Sequence, residues 1–141
     1  MEWIVTVQNL LIKQLNLELQ AATQMSYFSG VAGAPSLKES FFSFAHEELR
    51  HFADVASILD ELNCTAVMEP IEFRLETDPV VVLVILKSIE DTVIHNYEDI
   101  LATGAGMRGN LKSRLKANLE DEREHYEAMA RLLEEYIDSK R

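Results

Sequence analysis

Apolar residues recur along most of this chain at the spacing of a helix rather than that of a strand. Between about Ile4 and Ser29, the residues Leu11, Leu15, Ala22 and Met25 follow one another at intervals of four, seven and three, which puts them on one stripe. The stripe runs out near Gly30 and Gly33, with Pro35 as a breaker. "SLKE" comes next, placing Ser36 and Glu39 at capping-box spacing, and the period resumes from Phe41 to about Leu62. A third helix is predicted from "DPVVV", with Asp78 as N-cap and Pro79 at the first helical position, to about Ala102. The run "VVVLVIL" at 80–86 would suit a strand, but "KSIEDTVIHNYEDIL" continues it with a 3.6 period, and no second strand candidate exists to pair with it. "TGAGMRGN" then breaks the chain, and the fourth helix runs from about Asn110 to Asp138.

The first and last connections are short, so each joins antiparallel neighbours. Between the second and third helices lie about fifteen residues, "NCTAVMEPIEFRLET", enough to run the length of a bundle and set the third helix parallel to the second. The expected fold is therefore all-α: a four-helix bundle with one long crossover between helices 2 and 3, a single domain over residues 1–141.

Each stripe carries one acidic residue where a hydrophobe belongs. Glu18 has Leu11, Leu15, Ala21, Ala22 and Met25 as helical neighbours, and Glu90 has Leu83, Leu86, Val93, Ile94 and Tyr97. Glu48 lies among Phe41, Phe44, Ala45, Phe52 and Val55, and Glu122 among Leu115, Leu119, Tyr126 and Met129. His51 and His125 follow those two by three residues, on the same face. By the same test Glu47 and Glu124 fall on solvent faces, His95 is a surface histidine, and His46 stays outside the site. Tyr97 and Tyr126 are open between core packing and contact with a ligand. The spacing also repeats: Glu48 and His51 recur 74 residues later as Glu122 and His125, and Glu18 recurs 72 residues later as Glu90.

Four buried carboxylates lose hydration worth several kcal/mol each, so something must compensate them. Two divalent cations would nearly cancel the charge and use carboxylate and imidazole donors; a Glu from each of two helices with Glu-x-x-His from the other two is the ligand pattern of di-iron and di-manganese bundles. The alternative is a metal-free polar network of Glu, His and Tyr. Iron is the expected metal, with Mn or Zn as substitutes. A net charge of −11 agrees with a cationic partner and disfavours nucleic acid.

Cys64 is alone, which rules out an internal disulfide or a cysteine-built zinc site and fits a reducing cytoplasm. Glu2 stands where a signal peptide carries positive charge, and the longest apolar run is too short to cross a bilayer, so no membrane association is expected. Trp3 and apolar residues off the main stripe of helix 1 point to a homo-oligomer, a dimer or larger.

Glu18, Glu48-x-x-His51, Glu90 and Glu122-x-x-His125, in that order on four helices, resemble the ferritin superfamily from about Leu15 to Leu133. "LNLELQAATQ" and "EELRHFADVASILDELN" read most like bacterioferritins. The resemblance implies a ferroxidase-type centre: Glu18 and His51 on one iron, Glu90 and His125 on the other, Glu48 and Glu122 bridging, with Fe(II) and O2 or peroxide as reactants. It also implies departures. Leu49 takes the place of the haem-holding Met of bacterioferritins, so haem is not expected. The short fifth helix of cage-forming ferritins has no counterpart, which puts a storage shell in question. Val93 replaces the extra Glu of the peroxide-reducing rubrerythrins. Three functions follow: Fe(II) oxidation for storage or detoxification, a cage-free peroxide-reducing or other oxidase role, or a non-catalytic metal-binding scaffold.

Overall fold

The structure is a computed structural model that describes residues 2–139. Its helices are α1 (Glu2–Val31), α2 (Pro35–Glu61), α3 (Pro79–Thr103) and α4 (Gly109–Ser139), and no strand occurs among the described residues. The apolar stripes form as the spacing predicts: Leu11, Leu15, Ala22 and Met25 are all buried.

The ends show which local signals won. Asp78 caps α3, accepting a hydrogen bond from the Val80 N–H at 2.9 Å, with Pro79 in the first turn. The expected capping box of α2 does not form. The helix starts at Pro35, the N-cap position falls on Ala34, and no side chain caps it, so Ser36 lies within the first turn. Pro35 explains the shift, because its ring presets the helical φ and it brings no N–H that needs a cap. At its other end α2 closes without glycine. Asn63 adopts a left-handed φ of 55°, while the N–H of Asn63 and that of Cys64 return to the carbonyls of Asp60 and Leu59. This is the paired C-terminal closure in which asparagine replaces the usual glycine. Between α3 and α4, Gly104 is required sterically: a Cβ there would lie 2.7 Å from Met107 Cε and 2.8 Å from the Ile100 carbonyl oxygen.

Side-chain to backbone bonds define the directions. Gln8 donates to the Leu62 carbonyl at one end of the α1–α2 pair and Ser29 to that of Lys38 at the other, so the two helices are antiparallel. Asn96 donates to the Leu10 carbonyl while Gln24, further along α1, holds the backbone of Arg74 just ahead of α3. Thus α3 also runs against α1 and parallel to α2. The segment from Leu62 to Asp78 travels back along α1, held by Asn16 on the Val67 carbonyl and Glu69 N–H and by Gln24 on Arg74.

Two apolar clusters fill the interior. One gathers Val7, Leu11, Val55, Ile58, Ile100 and Leu111; the other gathers Met25, Phe28, Phe41, Leu83, Leu86 and Met129. On every helix the residues between those two sets include the glutamate picked out by sequence, so a polar layer lies between two apolar ones. No helix among the described residues is long and apolar enough to cross a membrane.

Candidate metal centre

The polar layer is closed to solvent. Glu18, Glu48, His51, Glu90 and Glu122 are 0 % exposed and His125 is 3 %. Each glutamate is drawn inward by its apolar neighbours on the stripe, and the i,i+3 spacing brings each histidine in behind its glutamate. The six residues come together as two overlapping groups. Glu18, Glu48, His51 and Glu122 can each direct one ligand atom so that all lie within 4.8 Å of one another, and so can Glu48, Glu90, Glu122 and His125. Glu48 and Glu122 belong to both.

The contacts show the internal symmetry. His51 Nδ1 is 2.6 Å from Glu122 Oε1, and His125 Nδ1 is 2.8 Å from Glu48 Oε1. His51 Nδ1 also lies 3.8 Å from both Glu18 Oε2 and Glu48 Oε2. The outer nitrogens have partners too: His51 Nε2 meets Asp121 Oδ2 at 2.9 Å, and His125 Nε2 meets Glu47 Oε2. Those carboxylates fix each ring so that Nδ1 points inward, as outer partners do for metal-binding imidazoles. Sequence reasoning placed Glu47 on a solvent face and passed over Asp121. Glu47 does remain 42 % exposed, but its side chain crosses to the other hairpin. The signal was present: Glu47 and Asp121 are themselves 74 residues apart, each just ahead of a shared glutamate.

Two further buried polar residues escaped the sequence reading. Gln14 donates to Glu18 Oε1 at 2.9 Å and is held in turn by Asn96, 2.8 Å from its carbonyl oxygen. The Tyr97 hydroxyl donates to the same Glu18 oxygen at 2.7 Å, which settles its contact with the layer. Tyr126 instead lies under the Lys87 ammonium, 5.3 Å from its ring centre. His95 is a surface residue bonded to the Asp91 carbonyl, and His46 packs edge-on against Phe42 outside the layer. Glu124 is exposed.

The electrostatics are those of an overcrowded acidic site. Burial pushes Glu48 and Glu122 well above the usual carboxylate range, and the surrounding carboxylates add to it; burial raises Glu90 as well. Burial also pushes Glu18 upward, but interactions with Glu48 and His51 outweigh it and the net is downward. Burial lowers His51, yet the acidic partners Glu18 and Glu48 overcome it and carry the imidazole up to about 11. Even so, Glu18 Oε2, Glu48 Oε2, Glu122 Oε2 and both oxygens of Glu90 are buried with no hydrogen-bond partner. Unpartnered buried oxygens are costly, and facing two imidazole nitrogens they form a donor set suited to hard or borderline divalent cations. The residues present therefore fit a pair of such ions.

The ferritin-like domain family matches residues 8–138. This chain belongs to that family. Among solved structures it is similar to a dodecameric thioferritin, the bacterioferritin-related protein of Bacteroides fragilis, at 23 % identity and a TM-score of 0.89 over 97 % of this chain and 89 % of that one. It is likewise similar to ferritin-like, diiron-carboxylate proteins from Bacillus anthracis, at 22 % identity and a TM-score of 0.88 over 94 % of this chain and 99 % of that one. At such identities the likeness is one of fold. No curated protein sequence matches the chain.

Proposed function

We propose that this ferritin-like chain binds two Fe(II) ions and oxidises them with O2 or peroxide. The observation that carries the reading is the pair of buried four-residue groups sharing Glu48 and Glu122. Glu18 and His51 would hold one iron, Glu90 and His125 the other, and Glu48 and Glu122 would touch both. Bound together, two ferrous ions would supply two electrons to the oxidant.

The chain's own residues prepare that chemistry. The apolar layers on either side keep bulk water from the polar layer, and four carboxylates balance four positive charges. Asp121 and Glu47 hold the imidazoles with Nδ1 inward. Protons held on the raised carboxylates and on His51 must leave as cations arrive, so binding releases protons and tightens with pH. A diiron-carboxylate assignment borne by one structural relative and a dodecameric assembly by another support extending both the chemistry and self-assembly to this chain. Exposed apolar residues on and ahead of α3, Leu75, Val81 and Val84, offer material for subunit contacts.

The test is anaerobic loading with Fe(II) followed by exposure to oxygen, read by ferric absorbance. Two irons per chain, oxidised within the mixing time of hand experiments, are expected; saturation at one iron or none, or loading without accelerated oxidation, would overturn the proposal. Sedimentation on the same sample measures particle size.

A further inference from the structure

The two halves of the site are symmetric in ligand type but not in how those ligands are held. Glu18 Oε1 accepts two hydrogen bonds, from the Tyr97 hydroxyl and from the Gln14 amide, and the amide is held the right way round by Asn96. That leaves Glu18 Oε2 turned toward His51. Glu90, its counterpart across the pseudo-twofold, has no hydrogen-bond partner on either oxygen.

The reason is written in the register. With α1 and α3 antiparallel, Tyr97 faces Glu18, and the same register sets Met25 opposite Glu90. Gln14 stands four residues before Glu18, whereas Leu86 stands four before Glu90. Met25 and Leu86 are fully buried and cannot donate a hydrogen bond. The counterpart of Asn96 is Gln24, which is committed elsewhere: its amide oxygen and nitrogen both bind the backbone of Arg74 in the crossover. The crossover has no symmetry mate, so it diverts on one side a polar residue that on the other braces the site.

The same inequality recurs on the α2–α4 face. Asp121, which orients His51, is itself held by Arg50 at 2.9 Å. Glu47 orients His125, and in the antiparallel register of α2 and α4 the place of Arg50 belongs to Glu124, another acid.

We infer that the two metal positions are unequal by construction. The Glu18/His51 position is braced by Gln14, Tyr97, Asn96 and Arg50; it fills first and holds its ion more tightly. The Glu90/His125 position has a terminal carboxylate free to swing, and it is the exchanging position. Gln14 and Tyr97 are positioning residues acting through Glu18. A braced carboxylate loses less freedom on binding a cation than a free one, and that difference sets the order. The inference rests on the two-iron reading above.

Anaerobic calorimetric titration of the metal-free full chain with Co(II) reads the two positions without any turnover. Two steps are expected, separated by about tenfold or more in affinity. In Tyr97→Phe, Gln14→Leu the first step should weaken by about tenfold while the second changes little, merging the two. A complementary variant gains rather than loses: Met25→Tyr gives Glu90 a donor and should tighten the second step, a result that damage to the fold does not produce. A wild-type crystal given one equivalent of Co(II) should show stronger anomalous density beside Glu18 and His51 than beside Glu90 and His125. Equal steps, equal densities, or a double variant that weakens both steps alike would overturn the inference while leaving the two-metal centre intact. Absence of any stoichiometric binding would instead overturn the proposed function, and the inference with it.

Discussion

The polar layer and the apolar layers flanking it are built from the same four helices and are equally buried, but burial acts in opposite senses on them. Around Phe41, Leu83 and Ile58 it removes apolar surface from water and stabilises the fold. Around Glu18, Glu48, Glu90 and Glu122 it strips hydration from carboxylates and leaves oxygens without partners. A layer that weakens the metal-free fold is retained for what it binds.

The largest expected effect separates the layer from the surface. Replacing Glu48 or Glu122 by Ala removes a residue common to both four-residue groups and should slow Fe(II) oxidation by on the order of a hundredfold or more, whereas exposed Glu124→Ala should leave it nearly intact. Stopped-flow measurement of ferric absorbance makes the comparison, and similar rates for the two kinds of variant would erase the distinction between layer and surface.

Next comes stability without metal. Leu83→Ala opens a cavity in an apolar layer and should cost about 2–5 kcal/mol. Glu122→Met replaces a buried carboxylate with an apolar chain of similar length and should stabilise the metal-free protein by about 1–4 kcal/mol, by analogy with buried ion pairs replaced by hydrophobes. Urea denaturation in chelator reads both. If Glu122→Met destabilised the protein as Leu83→Ala does, the polar layer would be a satisfied network.

This opposition also explains what could be read from the sequence. Glu18, Glu48, Glu90 and Glu122 were legible because an acid on an apolar stripe is a local contradiction, visible with no knowledge of partners. Helix order and the long connection were legible for a similar reason, since each depends on spacing along one segment. Glu47 and Asp121 were not, because the stripe test asks which way a Cβ points, while a long side chain at the edge of a stripe can reach across to a neighbouring helix. Gln14 and Asn96 needed the register of α1 against α3, which no single helix encodes. The start of α2 was misread because Pro35 serves equally as a breaker and as a first helical residue, and only the chain path after Gly33 decides between them.

Adding metal should remove the difference between layers. A cation held at about a hundred times its dissociation constant contributes roughly 2.7 kcal/mol by mass action. Fe(II) kept anaerobic, Mn(II) or Zn(II) should therefore raise the melting temperature by several degrees at neutral pH. In a Glu18→Ala, Glu90→Ala double variant, stripped of both terminal carboxylates, the shift should be much smaller. Identical melting curves with and without metal, starting from chelator-treated protein at matched ionic strength, would favour a metal-free network.

The smallest effect is the slope of metal-free stability against pH, and its sign follows from the site. Glu48, Glu90 and Glu122 are raised above 4.5 by burial, so each contributes stability that is fully present below 4.5 and lost as pH climbs through its folded value. His51, carried from 6.5 up to about 11 by its acidic partners against the effect of burial, contributes stability that is complete below 6.5 and lost by about 11. Glu18 runs the other way: its lowered pKa contributes above 4.5 and is lost only in more acid solution, so between pH 5 and 9 it adds no slope. The metal-free protein should thus become less stable in urea from pH 5 to pH 9. A surface bearing a net charge of −11 also repels itself more as its acids ionise, so the slope must be assigned by variant. Glu48→Gln, Glu122→Gln removes two of the raised groups and should flatten the fall, whereas Glu124→Gln should not. With metal bound the trend should reverse, because the protons that made the layer tolerable at low pH compete with the cation for the same oxygens, and the gap between the two curves should widen with every unit of pH.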